Sequence, residues 1–82
     1  MQIKNNIAIS DSGYIFNPGT GESFMVNPIG KEILEFLKEQ KSYEEISASI
    51  TDQYNIAGST FEKDYYDFIN TLRKNHLVED NE

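Results

Sequence analysis

Apolar positions in this chain change period about a third of the way along, and that change predicts the architecture. Up to Val26 the apolar residues come in short alternating runs: Ile7-Ala-Ile9, Tyr14-Ile-Phe16 and Ser23-Phe-Met-Val26. Asp11-Ser-Gly13 and Asn17-Pro-Gly-Thr-Gly21 lie between them, with glycines available for positive φ. Runs this short, joined by turns, read as a three-stranded antiparallel meander, because parallel pairing needs long crossovers.

From Asn27 onward the period is helical. Asn27 is placed as an N-cap and Pro28 at the first helical position, where its missing N–H costs nothing. Ile29, Ile33, Phe36 and Leu37 form one apolar face that Leu34 widens, and Lys31 and Glu35 stand one turn apart on the solvent side. Ser42 with Glu45 predicts a capping box opening a second helix, with Tyr43, Ile46, Ile50 and Tyr54 inward. Asn55-Ile-Ala-Gly58 breaks it. Ser59 with Glu62 predicts a second capping box and a third helix to about Asn75, its stripe Phe61, Tyr65, Phe68, Ile69 and Leu72. Leu77-Val78 is expected to pack back on the core, ahead of a polar tail.

The predicted fold class is α+β: winged-helix-like, a three-stranded antiparallel sheet followed by three helices. A length of 82 residues fits a single domain over 1–82, with an ordered core from about 7 to 79 and an acidic tail at 79–82. The chain has no cysteine, which excludes disulfides and thiolate metal sites and agrees with a cytoplasmic protein. No signal-peptide core and no membrane-spanning run are read at the sequence level, so no membrane partner is expected.

Charge decides against the function that the shape suggests. Fourteen acids oppose seven bases, for a net charge of −7. From Tyr43 to Asn70, where a helix-turn-helix would face DNA, six acids oppose the single base Lys63, a net −5. Phosphate contacts position every DNA reader, and this surface lacks the cations to make them. No nucleic-acid partner is expected.

Catalytic chemistry is equally unsupported. His76 is the one histidine, at a helix end where it can cap carbonyls, and a lone histidine is a poor metal site. The carboxylates are scattered over solvent faces instead of converging. Gly19-Thr-Gly21 leads into a strand and Gly30-Lys31 is followed by Glu32, so neither is a phosphate loop. No enzyme activity and no cofactor are expected.

The run Tyr14–Gly30, with Val26-Asn27-Pro28-Ile29-Gly30 at its end, resembles the strand-turn-strand-helix opening of the PqqD-like proteins. Ile33–Leu37, Ser42–Ile46 and Asp64–Leu72 with Leu77-Val78 resemble its three helices and exit, so the likeness spans roughly residues 7 to 79. Asn75-His76 departs from the family, which often has a glycine before the closing leucine.

The resemblance implies a RiPP recognition element: a peptide chaperone that holds the leader of a ribosomally made precursor for a modifying enzyme, a radical SAM protein or another maturation enzyme. In that family the leader adds as a strand to the third strand and rests against the third helix, which is β-augmentation. Carried onto this chain, the expected peptide-binding residues are Ser23, Phe24, Met25, Val26 and Asn27 at the edge, with Tyr66, Ile69 and Arg73 on the helix flank. Asp67 and Glu62 are placed to meet a basic leader residue, so a neutral or cationic leader is expected. A bare edge strand also permits a weak dimer beside the monomer. Two other readings remain open: a winged-helix regulator acting through protein contacts or DNA, and a small scaffold subunit without a peptide groove.

Overall fold

A computed structural model describes residues 2–79. Its central sheet is the expected meander, β2 (Ala8–Ile9), β3 (Tyr14–Asn17) and β4 (Glu22–Met25) in the order β2-β3-β4, both pairings antiparallel. Three helices follow: α1 (Pro28–Lys38), α2 (Tyr43–Tyr54) and α3 (Gly58–Lys74). Two further strands went unpredicted. β1 (Gln2–Ile3) precedes the meander and β5 (Val78–Glu79) ends the described chain; they pair antiparallel with each other as a separate ribbon. Because β5 joins β1 and not β4, the outer edge of β4 stays open.

Local chemistry explains the element boundaries. At the start of α1 the Asn27 side chain accepts a hydrogen bond from the Gly30 N–H at 2.8 Å, and Pro28 occupies the first turn as expected. Ser42 and Glu45 form the full capping box, at 3.1 and 3.0 Å. The Ser42 N–H bonded to the carboxylate, with the Ser42 hydroxyl beside it, holds the Glu45 carboxyl below its ordinary value. Lys31 pairs with Glu35 at 3.1 Å. Tyr54, expected inward, is instead exposed and donates its hydroxyl to the Glu32 carboxylate of α1, which raises the phenol's pKa.

The second expected capping box does not form. α3 starts at Gly58, with Ala57 as an N-cap that has no side-chain bond, so Ser59 falls inside the first turn. Half-buried Ile56 packs against the core just ahead of this start, and the Phe61 N–H closes the first turn onto the Ala57 carbonyl at 3.0 Å.

The helix ends share one device. His76 stands at φ 58° while its N–H reaches the Arg73 carbonyl at 3.1 Å and the Leu77 N–H reaches the Leu72 carbonyl at 3.0 Å. That is a Schellman closure with histidine at the position glycine usually holds. Gln40 at φ 61° does the same for α1, with the Lys41 N–H on the Phe36 carbonyl, and Asn55 at φ 55° does so for α2. The departure at Asn75-His76 therefore leaves the exit geometry intact and loads a strained φ onto a non-glycine residue.

The core joins one sheet face to all three helices through Ile15, Leu34, Ile46, Ile50, Ile69 and Leu72. Leu77 and Val78 are buried as expected, and Ile3 and Ile7 complete the floor. The opposite sheet face carries no helix, and Tyr14, Phe16 and Met25 lie exposed there.

Candidate functional site: the open edge of β4 and its groove

The hydrogen-bond phase of β4 fixes what its free edge offers. Its register against β3 pairs Tyr14 with Met25, Ile15 with Phe24 and Phe16 with Ser23. The Val26 N–H donates to the Gly13 carbonyl at 2.9 Å, so that pair is a bonded one. Alternation then makes Ile15–Phe24 bonded and leaves the N–H and C=O of Ser23 and Met25 pointing outward. On the far side of β3 the Ser10 N–H reaches the Tyr14 carbonyl at 2.8 Å, which fits the same phase. Proline and charge, the usual guards of an open edge, are absent from Ser23–Val26.

Gly13 locks this geometry. It sits at φ 90°, and a Cβ there would come within 2.7 Å of the Val26 carbonyl oxygen. Only glycine lets the turn close against the end of β4.

Alongside the edge runs a groove of about 300 Å³ between β4 and α3. Ile15, Phe24 and Val26 form the sheet wall, Phe68 and Leu72 the helix wall, and Leu77 lies at the base. Among the described residues, no charged side chain lines it. Its polar rim is already committed: Asn27 caps α1, the Thr71 hydroxyl donates to the Asp67 carbonyl at 3.1 Å, and the Asn75 amide donates to the Thr71 carbonyl at 2.9 Å. The groove thus reads apolar shape, and the edge beside it reads backbone.

The sequence-predicted residues divide accordingly. Phe24, Met25, Val26 and Asn27 line the groove, and Ser23 lies on the same edge with its backbone outward. Tyr66, Ile69 and Arg73 do not join them. Ile69 is 2% exposed, within the core, and the ring of Tyr66 stacks on Tyr43 of α2 at 5.6 Å, so Tyr66 belongs to the α2–α3 side. Arg73 is exposed and outside the groove lining, as are Asp67 and Glu62. The helix residues that the groove does use are Phe68, Thr71, Leu72 and Asn75. Phe68, Thr71 and Asn75 recur at i, i+3 and i+7, a spacing visible in the sequence beside the assigned stripe.

Residues 13–78 match the family described as coenzyme PQQ synthesis protein D (PqqD). The chain belongs to the PqqD family. The match begins at the glycine that closes on β4 and ends at the first residue of β5, so it contains the edge, the groove and all three helices. Among solved structures, the chain is similar to one titled "TbiB1 in Complex with the TbiA(beta) Leader Peptide", with a TM-score of 0.87 and 29% identity. That alignment covers 100% of this chain and 99% of the other. No curated protein matches the chain.

Proposed function

We propose that this chain is a non-catalytic leader-peptide-binding domain, a RiPP recognition element. It takes up the leader of a ribosomally made precursor as an added strand on β4 and presents the remainder to a modifying enzyme, a radical SAM protein or another maturation enzyme. One observation carries the reading: an unguarded strand edge lies beside an apolar groove, in a PqqD-family chain similar along its whole length to a protein solved with a leader peptide.

The energetics suit a carrier that must also release its cargo. Ser23 and Met25 offer four outward backbone groups, each hydrogen bond contributing about 0.5–1.5 kcal/mol net. One bulky apolar side chain in the groove adds about 1.5–3 kcal/mol. Ordering a flexible leader offsets part of that total. With no ionic contact in the groove, binding is expected to depend weakly on salt.

The test is an NMR titration of labelled protein with a synthetic leader from the short reading frame nearest its gene. Amide shifts confined to Ser23–Asn27 and the Phe68–Asn75 flank support the reading. Equal shifts with a scrambled peptide, or stronger ones with a DNA duplex, refute it.

A further inference from the structure

A second apolar pocket, of about 230 Å³, opens where β4 ends. Ile29 and Ile33 of α1, Ile56 of the α2–α3 turn, and Phe61 and Tyr65 of α3 line it. It shares two wall residues with the groove, Asn27 and Phe68, so the two hollows are neighbours across a single ring. Gly30 keeps that junction low. A Cβ at Gly30 would stand 3.2 Å from the Val26 Cβ and 3.3 Å from the Phe68 Cζ. Exposed Asp64 borders the pocket, and among the described residues it has no ion-pair partner.

The course of the chain gives this adjacency its direction. β4 runs from Glu22 to Met25 and hands over through Val26 and Asn27 to α1 at Pro28. A peptide paired along the β4 edge leaves the ladder at Asn27, the residue that belongs to both hollows. Its next stretch then meets Phe68, Gly30 and the apolar pocket, with a carboxylate at the far rim. An apolar pocket beside one unpaired acid suits an apolar side chain neighbouring a lysine or arginine.

We infer that this pocket is a second leader subsite, beyond the strand-paired segment, which takes an apolar residue flanked by a basic one. The inference rests on the leader-binding reading above. It assigns the expected preference for a cationic leader to Asp64 and not to the groove, whose described lining is uncharged. It also divides recognition in two: backbone and one apolar residue at β4, then an apolar and basic pair at Asp64.

The experiment is selection of a displayed library of random linear peptides against the intact chain, the Asp64→Lys variant and the Met25→Pro variant, each checked for its fold by NMR. Wild type is expected to enrich peptides with two apolar positions a few residues apart, the outer one next to Lys or Arg. Asp64→Lys is expected to exchange that basic preference for Asp or Glu while keeping the inner apolar position. A selected peptide should lose roughly two- to fivefold in affinity on Asp64→Asn, and about tenfold or more when its outer apolar residue becomes alanine. One apolar position only, with identical pools from wild type and Asp64→Lys, overturns the second subsite and leaves leader binding standing. Pools that Met25→Pro enriches as well as wild type overturn edge binding itself, and the second subsite with it.

Discussion

Replacing Met25 with proline separates leader binding from folding. The Met25 N–H points away from β3, because Val26, its neighbour, is the residue bonded to Gly13. Proline there removes no ladder bond, and its ring occupies the space an added strand needs. Met25 is 68% exposed, so losing its side chain costs little core packing. The fold should therefore keep its stability to within about 1 kcal/mol, as for a surface change away from any special feature. Binding should suffer much more. The leader carbonyl that faced Met25 loses its donor inside a contact, a cost of about 1–3 kcal/mol, or a Kd raised roughly five- to 150-fold. Val26→Pro is the matched control, since it deletes the 2.9 Å bond to Gly13 and should lower stability by about 1–3 kcal/mol. Calorimetric titration with the leader gives the first quantity and urea unfolding the second. Wild-type affinity in Met25→Pro refutes the edge mechanism, while loss of folding in that variant refutes the assigned hydrogen-bond phase.

Phe68→Ser should weaken the leader about tenfold or more by removing the helix wall of the groove, with a smaller loss of stability than Leu72→Ser, because Phe68 is only half-buried; parallel titrations and urea melts compare the two. His76→Gly and Gln40→Gly should each stabilise by about 1 kcal/mol, and add in the double variant, since glycine accepts the positive φ that these residues hold under strain; unchanged melting would refute the strain. Glu45 ties α2 to acidity: its carboxyl is held below the ordinary value of 4.5, so the stability it supplies is complete above that value and disappears as pH falls through the lowered one. Glu45→Gln should flatten this acid limb of the stability curve, and a carboxyl titration by NMR should find Glu45 titrating below 4.5. At the alkaline end, burial and the nearby Tyr66 and Tyr43 raise the Tyr65 phenol above 10.0, so its contribution stands below 10.0 and is lost as pH climbs through the raised value, which ultraviolet titration follows.

The elements legible in the sequence were those whose boundaries have local causes. Asn27-Pro28 and Ser42–Glu45 declare helix starts because the capping atoms lie within three residues of one another. The meander was readable because Gly13 and Gly21 supply positive φ at its turns. β1 and β5 were not readable, since their partners lie 75 or more residues apart, as with Ile3 and Val78. Ser59-Glu62 looked like a cap, yet α3 starts at Gly58, just after Ile56 packs against the core. The candidate edge was legible in the sequence and the helix flank beside it was not, for the same reason. β4 follows from strand order, whereas the flank of α3 that meets it depends on how the helix is rotated. Tyr66 and Phe68 border the same buried stripe, and in the fold Tyr66 packs on Tyr43 while Phe68 lines the groove.

An unguarded edge is also open to a second copy of the chain, because self-pairing uses the same hydrogen-bonding groups as pairing with a leader. The outward set is short: Ser23 and Met25, followed by Asn27 and then Pro28, which has no N–H to give. Glu22 stands at the other end of the strand, and from Asn5 to Gly30 there is no lysine or arginine to offset it. Two copies approaching edge to edge also bring together two chains of charge −7. A peptide that is neutral or cationic meets none of that repulsion and brings a side chain for the groove, which a second β4 does not supply. The acidity that argues against a nucleic-acid partner also opposes self-pairing on electrostatic grounds, with no proline or charge from Ser23 to Val26, where a leader is proposed to pair.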